Sequence, residues 1–403
     1  MKPNSLPDTI PNWINGQECA AVSRETFDKL SPDTGRKLFN VARSGSQDVQ
    51  DAIQAARLAQ ADWAERTPVQ RGEILHDIAQ AMRKHQKEIA EIVAMETGMS
   101  FASALGETGG AIAQGEFAAG EGRRFYGRTT TSAVPNKYAM TVRQPLGVAG
   151  LIIAANTPIA NVAWKVFPAL ICGNAAVLKA AEDTPATAWY FSRLAHEAGL
   201  PPGVLNVIQG YGREAGEPLV ADPKVDVVSF TGSTAVARQI ASISGDRLAN
   251  VSLELGGKNP LVVCDDADVE SAAKWVVLSA FSNSGKRWAS GSRIIVFDDV
   301  YEVFSDVLVE RTRALSVGQN DDNDLGPVIN EKQLNNMLTA VQDAQQNGAV
   351  VLTGGHRLTD DDHKGGFYMA PTLIENVDPK DNISTFELFG PITCLYRVAD
   401  FHE

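Results

Sequence analysis

Residues 148–179 read VAGLIIAANTPIANVAWKVFPALICGNAAVLK, and this stretch decides the fold. Two short apolar runs, Val148–Ala155 and Ala175–Lys179, enclose a longer amphipathic segment at 159–171. A strand, a helix and a second strand of these lengths predict a βαβ unit, whose strands run parallel and are covered on both faces. The stretch therefore indicates an α/β protein with a parallel sheet.

The same alternation continues on both sides of the glycine pair at 256–257. Before the pair, strands are predicted at Val204–Ile208, Val225–Phe230 and Val251–Leu255, with helices at 185–198, 213–221 and 234–243. After it, strands are predicted at Leu261–Val263, Ile294–Phe297, Ala349–Leu352 and Ile392–Arg397, with helices at 268–284, 301–315 and 331–347. The pattern predicts two α/β domains with a boundary near the glycine pair.

The first part of the chain is predicted to be helical. Residues 47–97 carry apolar side chains at three- and four-residue spacing, with Pro68 between two helices and Gly98 after the second. The Ala-, Gly- and Glu-rich stretch 99–122 predicts another helix. The strand-like piece Tyr138–Val142 belongs to neither domain, which indicates an arm.

Composition excludes several classes of protein. A formal net charge of −13 argues against a nucleic-acid surface, which needs a basic stripe. Polar residues interrupt the most apolar stretch, so no membrane span is predicted, and the first residues lack the apolar region of a signal peptide. The histidines form no HExxH pattern and no metal site is expected. The cysteines form no CxxC pair and predict reduced thiols in a cytoplasmic protein; they are Cys19, Cys172, Cys264 and Cys394.

Two glycine-containing loops each follow a predicted strand and precede a predicted helix. Gly210-Tyr-Gly212-Arg-Glu-Ala-Gly216 is nearly a dinucleotide fingerprint, but Asp226 begins the next strand, whereas a ribose-binding acid would end it. A phosphate contact and a plain tight turn are both compatible with this loop. In Phe230-Thr-Gly-Ser-Thr234, the free N–H groups and the helix dipole would suit a pyrophosphate.

A set of motifs in one order resembles the aldehyde dehydrogenase superfamily over essentially the whole chain. The motifs are Asn156-Thr-Pro158, Gly173-Asn174, Lys179-Ala-Ala-Glu182-Asp-Thr-Pro185, Phe230-Thr-Gly-Ser233, Glu254-Leu-Gly-Gly-Lys-Asn-Pro260 and Glu387-Leu-Phe-Gly-Pro391. The resemblance implies an α/β fold of two Rossmann-like parallel-sheet domains. The implied NAD-binding domain is 1–122 with 148–255, the oligomerisation arm is 123–147, and the catalytic domain is 256–403.

The resemblance implies an NAD site. Lys179 and Glu182 would bind the adenosine ribose, while Gly212 and Val236 would border the adenine. A carboxylate at Glu182 would repel a 2′-phosphate, so NAD is expected to bind better than NADP. Independently of the family, Lys179 lies in an apolar run, where an unpaired ammonium is costly, and this favours a functional role.

The resemblance also assigns residues to the pyrophosphate and to the nicotinamide nucleoside of the cofactor. The resemblance implies that Gly232 and Ser233 contact the pyrophosphate; the alternative for Ser233 is that it is only a helix cap. Glu387 would hold the nicotinamide ribose, with Phe389 packed beside the ring.

The implied reaction is the oxidation of a small-molecule aldehyde to a carboxylic acid. Glu254 matches the general base that activates the deacylating water, and its place in an apolar run also favours function. Asn156 matches the amide of the oxyanion hole, unless it only caps the helix that begins near Pro158. The sequence does not identify the aldehyde.

The nucleophile position departs from the family pattern. Residues 281–297, FSNSGKRWASGSRIIVF, resemble the family's catalytic loop, Phe-x-x-x-Gly-Gln-x-Cys. Lys286 replaces the glutamine, and Trp288 replaces the nucleophilic cysteine. Because an indole ring cannot form a thiohemiacetal, the sequence predicts a family member without oxidative activity.

Family members usually continue beyond the Glu-x-Phe-Gly-Pro motif with a segment that completes the catalytic sheet. We therefore expect a C-terminally truncated catalytic domain, in which homo-oligomer formation is in doubt. Three interpretations stay open: an active dehydrogenase with an altered or faulty sequence, a non-catalytic NAD- or partner-binding pseudoenzyme, and a poorly folding pseudogene product.

Overall fold

The computed structural model describes Pro3 and residues 5–403, and the chain forms two compact units. Unit 1 comprises the described part of Met1–Lys29 together with Phe39–Val93 and Leu105–Glu254. Unit 2 comprises Leu30–Leu38, Ala94–Ala104 and Leu255–Glu403.

Two short segments that the sequence placed in the first domain pack within unit 2. In residues 30–38, Asp33 accepts a hydrogen bond from Gln319 at 2.8 Å. In residues 94–104, the N–H of Ala102 donates to Asp321 at 3.1 Å. These contacts join residues far apart in the chain, which periodicity does not indicate.

The strands in chain order are β1 Thr9–Ile10, β2 Asn12–Ile14, β3 Gln17–Cys19, β4 Thr26–Leu30, β5 Lys37–Ala42, β6 Thr129–Thr131, β7 Tyr138–Met140, β8 Val148–Ile152, β9 Ala175–Lys179, β10 Leu205–Ile208, β11 Val227–Gly232, β12 Asn250–Leu255, β13 Asn259–Val263, β14 Gly291–Phe297, β15 Val350–Thr353, β16 Thr372–Glu375 and β17 Ile392–Val398. The helices are α1 Ser46–Glu65, α2 Pro68–Lys84, α3 Gln86–Thr97, α4 Phe101–Glu121, α5 Pro158–Ile171, α6 Pro185–Glu197, α7 Glu217–Ala221, α8 Thr234–Asp246, α9 Val269–Phe281, α10 Asp298–Arg313, α11 Glu331–Gln346 and α12 Asn382–Thr385.

Unit 1 is built on a seven-stranded sheet in the order β12-β11-β8-β9-β10-β2-β3. Strands β11, β8, β9 and β10 are parallel, with Val148 opposite Ala175 and Leu205 opposite Ala176. All residues of β9 and most of α5 are buried, as the apolar runs predicted. The parallel-sheet α/β fold is therefore confirmed, but the short strands β1–β5 were not predicted.

Unit 2 has a five-stranded sheet in the order β13-β14-β17-β16-β15. Its first four strands are parallel, and β15 runs antiparallel to β16. One apolar cluster includes residues of α9 and α10, and a second includes residues of α11. The prediction omitted β16, a strand of four residues.

Two helices were predicted for residues 47–97, and this was wrong because three helices, α1, α2 and α3, occur there. The second, α2, is followed by the C-cap residue His85, whose N–H donates to the carbonyl of Ala81 at 3.1 Å. In the predicted arm, β7 pairs antiparallel with β6, and every residue of both strands is exposed. Among the described residues, no helix is long and apolar enough to cross a membrane.

Arg71, on α2, is a buried cation that binds main-chain carbonyls where two helices end. Its guanidinium donates to the carbonyls of Ala64 at 3.2 Å and Ile171 at 3.0 Å, and to the carbonyl of Arg66. Burial lowers the pKa of Arg71. The buried carbonyls would lose a charged donor if this side chain were replaced.

We expect Arg71→Met to lower the free energy of unfolding by about 2–4 kcal/mol, because buried acceptors would be left unsatisfied. Arg83→Met on the same helix removes only an exposed ion pair with Glu116 and should cost less than about 1 kcal/mol. Urea denaturation of both variants measures the difference. Equal losses would contradict the assignment of Arg71 to the helix ends.

Candidate functional site

Several predicted site residues of unit 1 lie at one edge of its sheet. Lys179 is the last residue of β9, Gly232 is the last residue of β11, and Asn156 follows β8. Because the strands are parallel, their carboxyl ends meet at the same edge, where ligands bind in open α/β sheets. The fold thus brings together residues that are far apart in sequence.

Lys179 is a buried cation with a partner. Its side chain is 4% exposed, and its Nζ lies 3.3 Å from a carboxylate oxygen of Glu182, whose side chain is 46% exposed. Burial lowers the pKa of Lys179, and the Glu182 carboxylate opposes that shift. The pair presents a donor and an acceptor at the end of β9, which suits recognition of hydroxyl groups.

A cleft of about 710 Å³ lies in unit 1 next to α7 and α8. The predicted residues Gly212 and Val236 both line it. The rest of the lining is mainly apolar and comprises Ile152, Arg213, Gly216, Glu217, Val220, Phe230, Gln239, Ile240, Ser242 and Ile243. Its volume and apolar lining are typical of a small-molecule site. Apart from Val236, the members on α8 were not predicted, because apolar residues at helical spacing also occur in cores.

A turn that lines this cleft is anchored by an ion pair. Residues 212–216 form a π-helical turn instead of the predicted first turn of helix 213–221. Arg43, after β5, donates to both carboxylate oxygens of Glu214 at 2.6 and 2.8 Å and lies 5.5 Å from the ring centre of Tyr211. Phe27 packs on the same ring at 4.6 Å. These contacts hold the backbone at Gly212.

Ser233 and Gly232 shape the start of α8. Ser233 is the N-cap, and its hydroxyl accepts the N–H of Val236 at 3.4 Å. Capping, one of the two roles left open by the sequence, is therefore present, and pyrophosphate contact stays a prediction. A Cβ on Gly232 would meet the ring of Phe230 at 2.5 Å, so glycine is needed next to this cleft residue.

Asn156 is buried but does not cap α5, because the N-cap is Thr157. Thr157 makes no side-chain cap bond, and Glu107 of α4 instead accepts the N–H of Ala160 at 3.1 Å. Burial raises the pKa of Glu107 to about 8. Nothing in the Gly- and Ala-rich sequence of α4 marked Glu107 as part of this arrangement.

Glu254 does not lie in the core, so the argument from its apolar neighbours was wrong. Strand β12 is at the edge of the sheet, and Glu254 is exposed. Its carboxylate interacts with Lys165, whose Nζ donates to Ser229 at 2.7 Å. Burial lowers the pKa of Lys165 to about 8, while Glu254 acts to raise it. The sequence did not indicate Lys165, which lies within an ordinary helical pattern.

In unit 2, Trp288 follows a sharply turned loop. Asn283, Ser284 and Gly285 have positive φ angles of 51°, 54° and 70°, which end the helix predicted over 268–284 at Phe281. The side-chain amide of Asn259 donates to the carbonyls of Trp288 and Ser290. Trp288 itself is half-buried. Main-chain bonds therefore fix the backbone at this position.

Lys286 points into the interior of unit 2. The residue is 2% exposed, and its ammonium donates to the carbonyls of Pro327 at 2.8 Å and Thr97 at 3.2 Å. Lys286, which replaces the family's glutamine, thus links its loop to the segments of unit 2 that carry Thr97 and Pro327.

Glu387 and Phe389 lie on one loop of unit 2. The Glu387 carboxylate rests against Gly256 so closely that a Cβ there would collide with it. Burial of the carboxylate raises the pKa of Glu387, while the N–H of Gly257 and the Lys258 ammonium act to lower it. Phe389 has a φ of 56°, a strained value for a bulky residue.

Two loops, 283–290 (the Trp288 loop) and 387–390 (the Glu387 loop), contribute residues to a common pocket of about 20 Å³, room for roughly one water. Trp288 itself does not line this pocket. Its lining includes Gly285, Arg287, Ser290, Glu387 and Phe389. The predicted catalytic residues are divided between the units, with Asn156 and Glu254 in unit 1 and Trp288 in unit 2. Within Pro3 and residues 5–403, no cluster of His, Cys, Asp and Glu could hold a metal ion.

Comparison with known proteins identifies the family. Residues 19–403 match the family model described as the aldehyde dehydrogenase family. The alpha-ketoglutaric semialdehyde dehydrogenase of Bacillus subtilis is 36% identical over 399 residues, which cover 98% of this chain and 82% of that protein. The chain belongs to the aldehyde dehydrogenase family.

Two solved structures support the same conclusion. Betaine aldehyde dehydrogenase from Staphylococcus aureus, in complex with NAD⁺, has a TM-score of 0.94 at 30% identity, covering 96% of this chain and 78% of that one. A 3,6-anhydro-L-galactose dehydrogenase in complex with NADP has a TM-score of 0.95 at 33% identity, covering 98% and 83%. Members of the family thus oxidise aldehydes and bind NAD or NADP.

We expect Lys286→Met to lower the free energy of unfolding by about 2–4 kcal/mol, because it leaves two buried carbonyls without their charged donor. Lys286→Gln keeps an N–H donor and should cost less. The exposed Lys332→Met is the matched control and should change stability by less than about 0.5 kcal/mol. Hydrogen exchange of residues 283–290 should accelerate in Lys286→Met and not in the control; unchanged exchange would contradict the anchoring role.

Proposed function

We propose that this chain is an NAD-binding member of the aldehyde dehydrogenase family that does not oxidise aldehydes. The observation that carries the proposal is Trp288, which occupies the loop position that the family resemblance assigns to the nucleophile. Its backbone is held by Asn259, and its side chain offers no thiolate to a carbonyl carbon.

The cysteines offer no obvious substitute. Burial raises the pKa of Cys19, Cys172 and Cys394, the last to about 11, which keeps these thiols protonated near neutral pH. Cys264 follows β13 and lies outside the Trp288 loop. All four are free of disulfides, which supports a cytoplasmic location.

The residues of unit 1 fit the adenosine half of a dinucleotide. The cleft beside Gly212 and Val236 is large and mainly apolar, as an adenine would require. The Lys179–Glu182 pair offers a donor and an acceptor to ribose hydroxyls. Ser233 caps α8, and the N-terminus of a helix favours phosphate. When bound in active relatives, the cofactor supplies the hydride acceptor. By the same resemblance, Glu387 and Phe389 would hold the nicotinamide half.

The proposed preference is NAD over NADP. The Glu182 carboxylate is close to half exposed at the end of β9, where a ribose 2′-phosphate would place like charges together. By resemblance we also assign Asn156 and Glu254 to the ancestral oxyanion and base positions, and the exposed hairpin β6–β7 to self-association.

We expect no NADH formation when the chain is mixed with NAD and a panel of aliphatic and aromatic aldehydes. The reason is the absence of a thiol at position 288. Absorbance at the NADH band is the measurement, with the Bacillus subtilis relative as the positive control on its own semialdehyde. Steady NADH production above that of a heat-inactivated sample would contradict the proposal.

We expect calorimetry to show binding of NAD and weaker binding of NADP. Removing the like charge in Glu182→Gln should raise NADP affinity roughly threefold to tenfold with little change for NAD. Glu197→Gln, an exposed change on α6, serves as the control and should alter neither affinity. An absence of heat with NAD, or a preference of the unaltered chain for NADP, would refute the cofactor assignment.

A further inference from the structure

Both ring nitrogens of His363, in unit 2, face oxygen acceptors. Nδ1 lies 2.7 Å from each carboxylate oxygen of Asp360, and Nε2 lies 2.8 Å from the carbonyl oxygen of Val317. Neither partner can donate a hydrogen, because an ionised carboxylate and a main-chain carbonyl only accept. Only the imidazolium, which carries an N–H on each nitrogen, can therefore make both bonds.

The charged and polar groups around the ring favour its charged form. The side chain is 14% exposed, and burial acts to lower the pKa of His363. The Val317 carbonyl and the carboxylates of Asp360 and Asp362 act in the opposite direction, and together they raise the pKa above the ordinary value of 6.5. The imidazolium in turn lowers the pKa of Asp360, which stays ionised.

Tyr368 packs on the ring and does not compete for its proton. The two ring centres are 4.8 Å apart, and the ring planes meet at 73°. Burial raises the pKa of Tyr368, and the nearby Asp33 carboxylate adds to the shift. The phenol therefore stays neutral over the pH range in which His363 titrates.

The imidazolium joins two segments of unit 2 that are separate in the chain. His363 belongs to residues 357–368, here called the His363 loop, whereas Val317 belongs to residues 316–328, here called the 316–328 segment. Within that segment, Val317 forms a parallel β-bridge with Leu325. The bond from His363 therefore also bears on the position of Leu325.

The 316–328 segment anchors the Trp288 loop directly after this bridge. Ser284 donates to the carbonyl of Gly326 at 2.8 Å, and the Lys286 ammonium donates to the carbonyl of Pro327 at 2.8 Å. An unbroken series of contacts thus runs from the His363 ring to the turn that precedes Trp288.

We propose that His363 is a proton-dependent clamp, whose imidazolium fastens the His363 loop to the 316–328 segment and thereby stabilises the Trp288 loop. When the ring releases one proton to solvent, a single N–H remains, and either Asp360 or Val317 then faces a nitrogen lone pair. That contact opens and the segment loosens. The clamp lies wholly within unit 2 and does not depend on a bound cofactor.

The direction of the pH dependence follows from the folded-state pKa. Because the pKa of His363 is raised in the folded chain, the clamp contributes its full stability below the ordinary histidine pKa. The contribution is lost as the pH rises through the raised pKa. The Trp288 loop is therefore expected to be firm in mildly acidic solution and looser in alkaline solution.

The test is hydrogen exchange of the whole chain at about pH 6 and about pH 9, on either side of the range in which a raised histidine titrates. After correction for the intrinsic pH dependence of amide exchange, the 316–328 segment and the Trp288 loop should lose protection roughly threefold to thirtyfold at the higher pH, as expected for one charge-assisted hydrogen bond. In an NMR titration, the His363 ring should show a pKa above 6.5.

The variants separate the clamp from its transmission. His363→Gln carries no charge, so both regions should exchange rapidly already at about pH 6 and change little at about pH 9. Asp360→Asn removes a group that stabilises the imidazolium, so protection should be lost at a lower pH. Lys286→Met should confine the pH dependence to the 316–328 segment. His356→Gln, which removes an exposed ring bonded to the carbonyl of Gly354, is the matched control and should behave as the unaltered chain.

Equal protection of the unaltered chain at the two pH values would overturn the proposal, as would a His363 pKa below 6.5. Loosening that stays within the His363 loop would overturn it too, because the Trp288 loop would then not depend on the clamp. If His363→Gln fails to fold, Asp360→Asn still decides, since its side chain is 58% exposed and an unshifted transition would contradict the role of the imidazolium. Circular dichroism at each pH distinguishes local loosening from loss of the fold.

Discussion

The close approach of Gly285 to Gly390 constrains the whole candidate site of unit 2. A side chain at position 285 would meet the backbone of the Glu387 loop, and the left-handed turn at 283–285 makes the approach possible. Lys286 then anchors the turn from within by binding two buried carbonyls. Strand β13 contributes Asn259, which holds the next main-chain carbonyl. Position 288 is thus fixed by its neighbours and by its own main chain, whatever side chain it carries.

Unit 1 organises its site by a different principle. Its parallel strands end at one edge, and the following residues supply Lys179, Asn156 and the start of α8. The cleft beside α8 would need no reactive group for the role proposed for it, which is to exclude water from a flat ring. Recognition in this unit depends on strand order, whereas the unit 2 site depends on a tight turn.

The sequence predicted the main strands from their short apolar runs and the main helices from their regular apolar spacing. It also located Lys179, since a charge inside an apolar run is rare. The same argument misjudged Glu254, because β12 is an edge strand whose apolar neighbours are themselves exposed. Glu107, Lys165 and the anchoring role of Lys286 depend on contacts between distant segments. The local sequence pattern does not reveal such contacts. It also did not predict β16 or the packing of residues 30–38 and 94–104 in unit 2.

The left-handed backbone of Phe389 lowers the stability of folded unit 2 and at the same time holds the ring in one position. A bulky residue at a φ of 56° costs about 1–3 kcal/mol, and the surrounding structure must supply that free energy when the chain folds. Because the ring is already in its strained position, a ligand that stacked on it, as we propose, would not meet this cost again. Relaxing the turn would make the folded chain more stable and leave the ring free to move. Greater stability and tighter recognition are therefore opposed at this one residue.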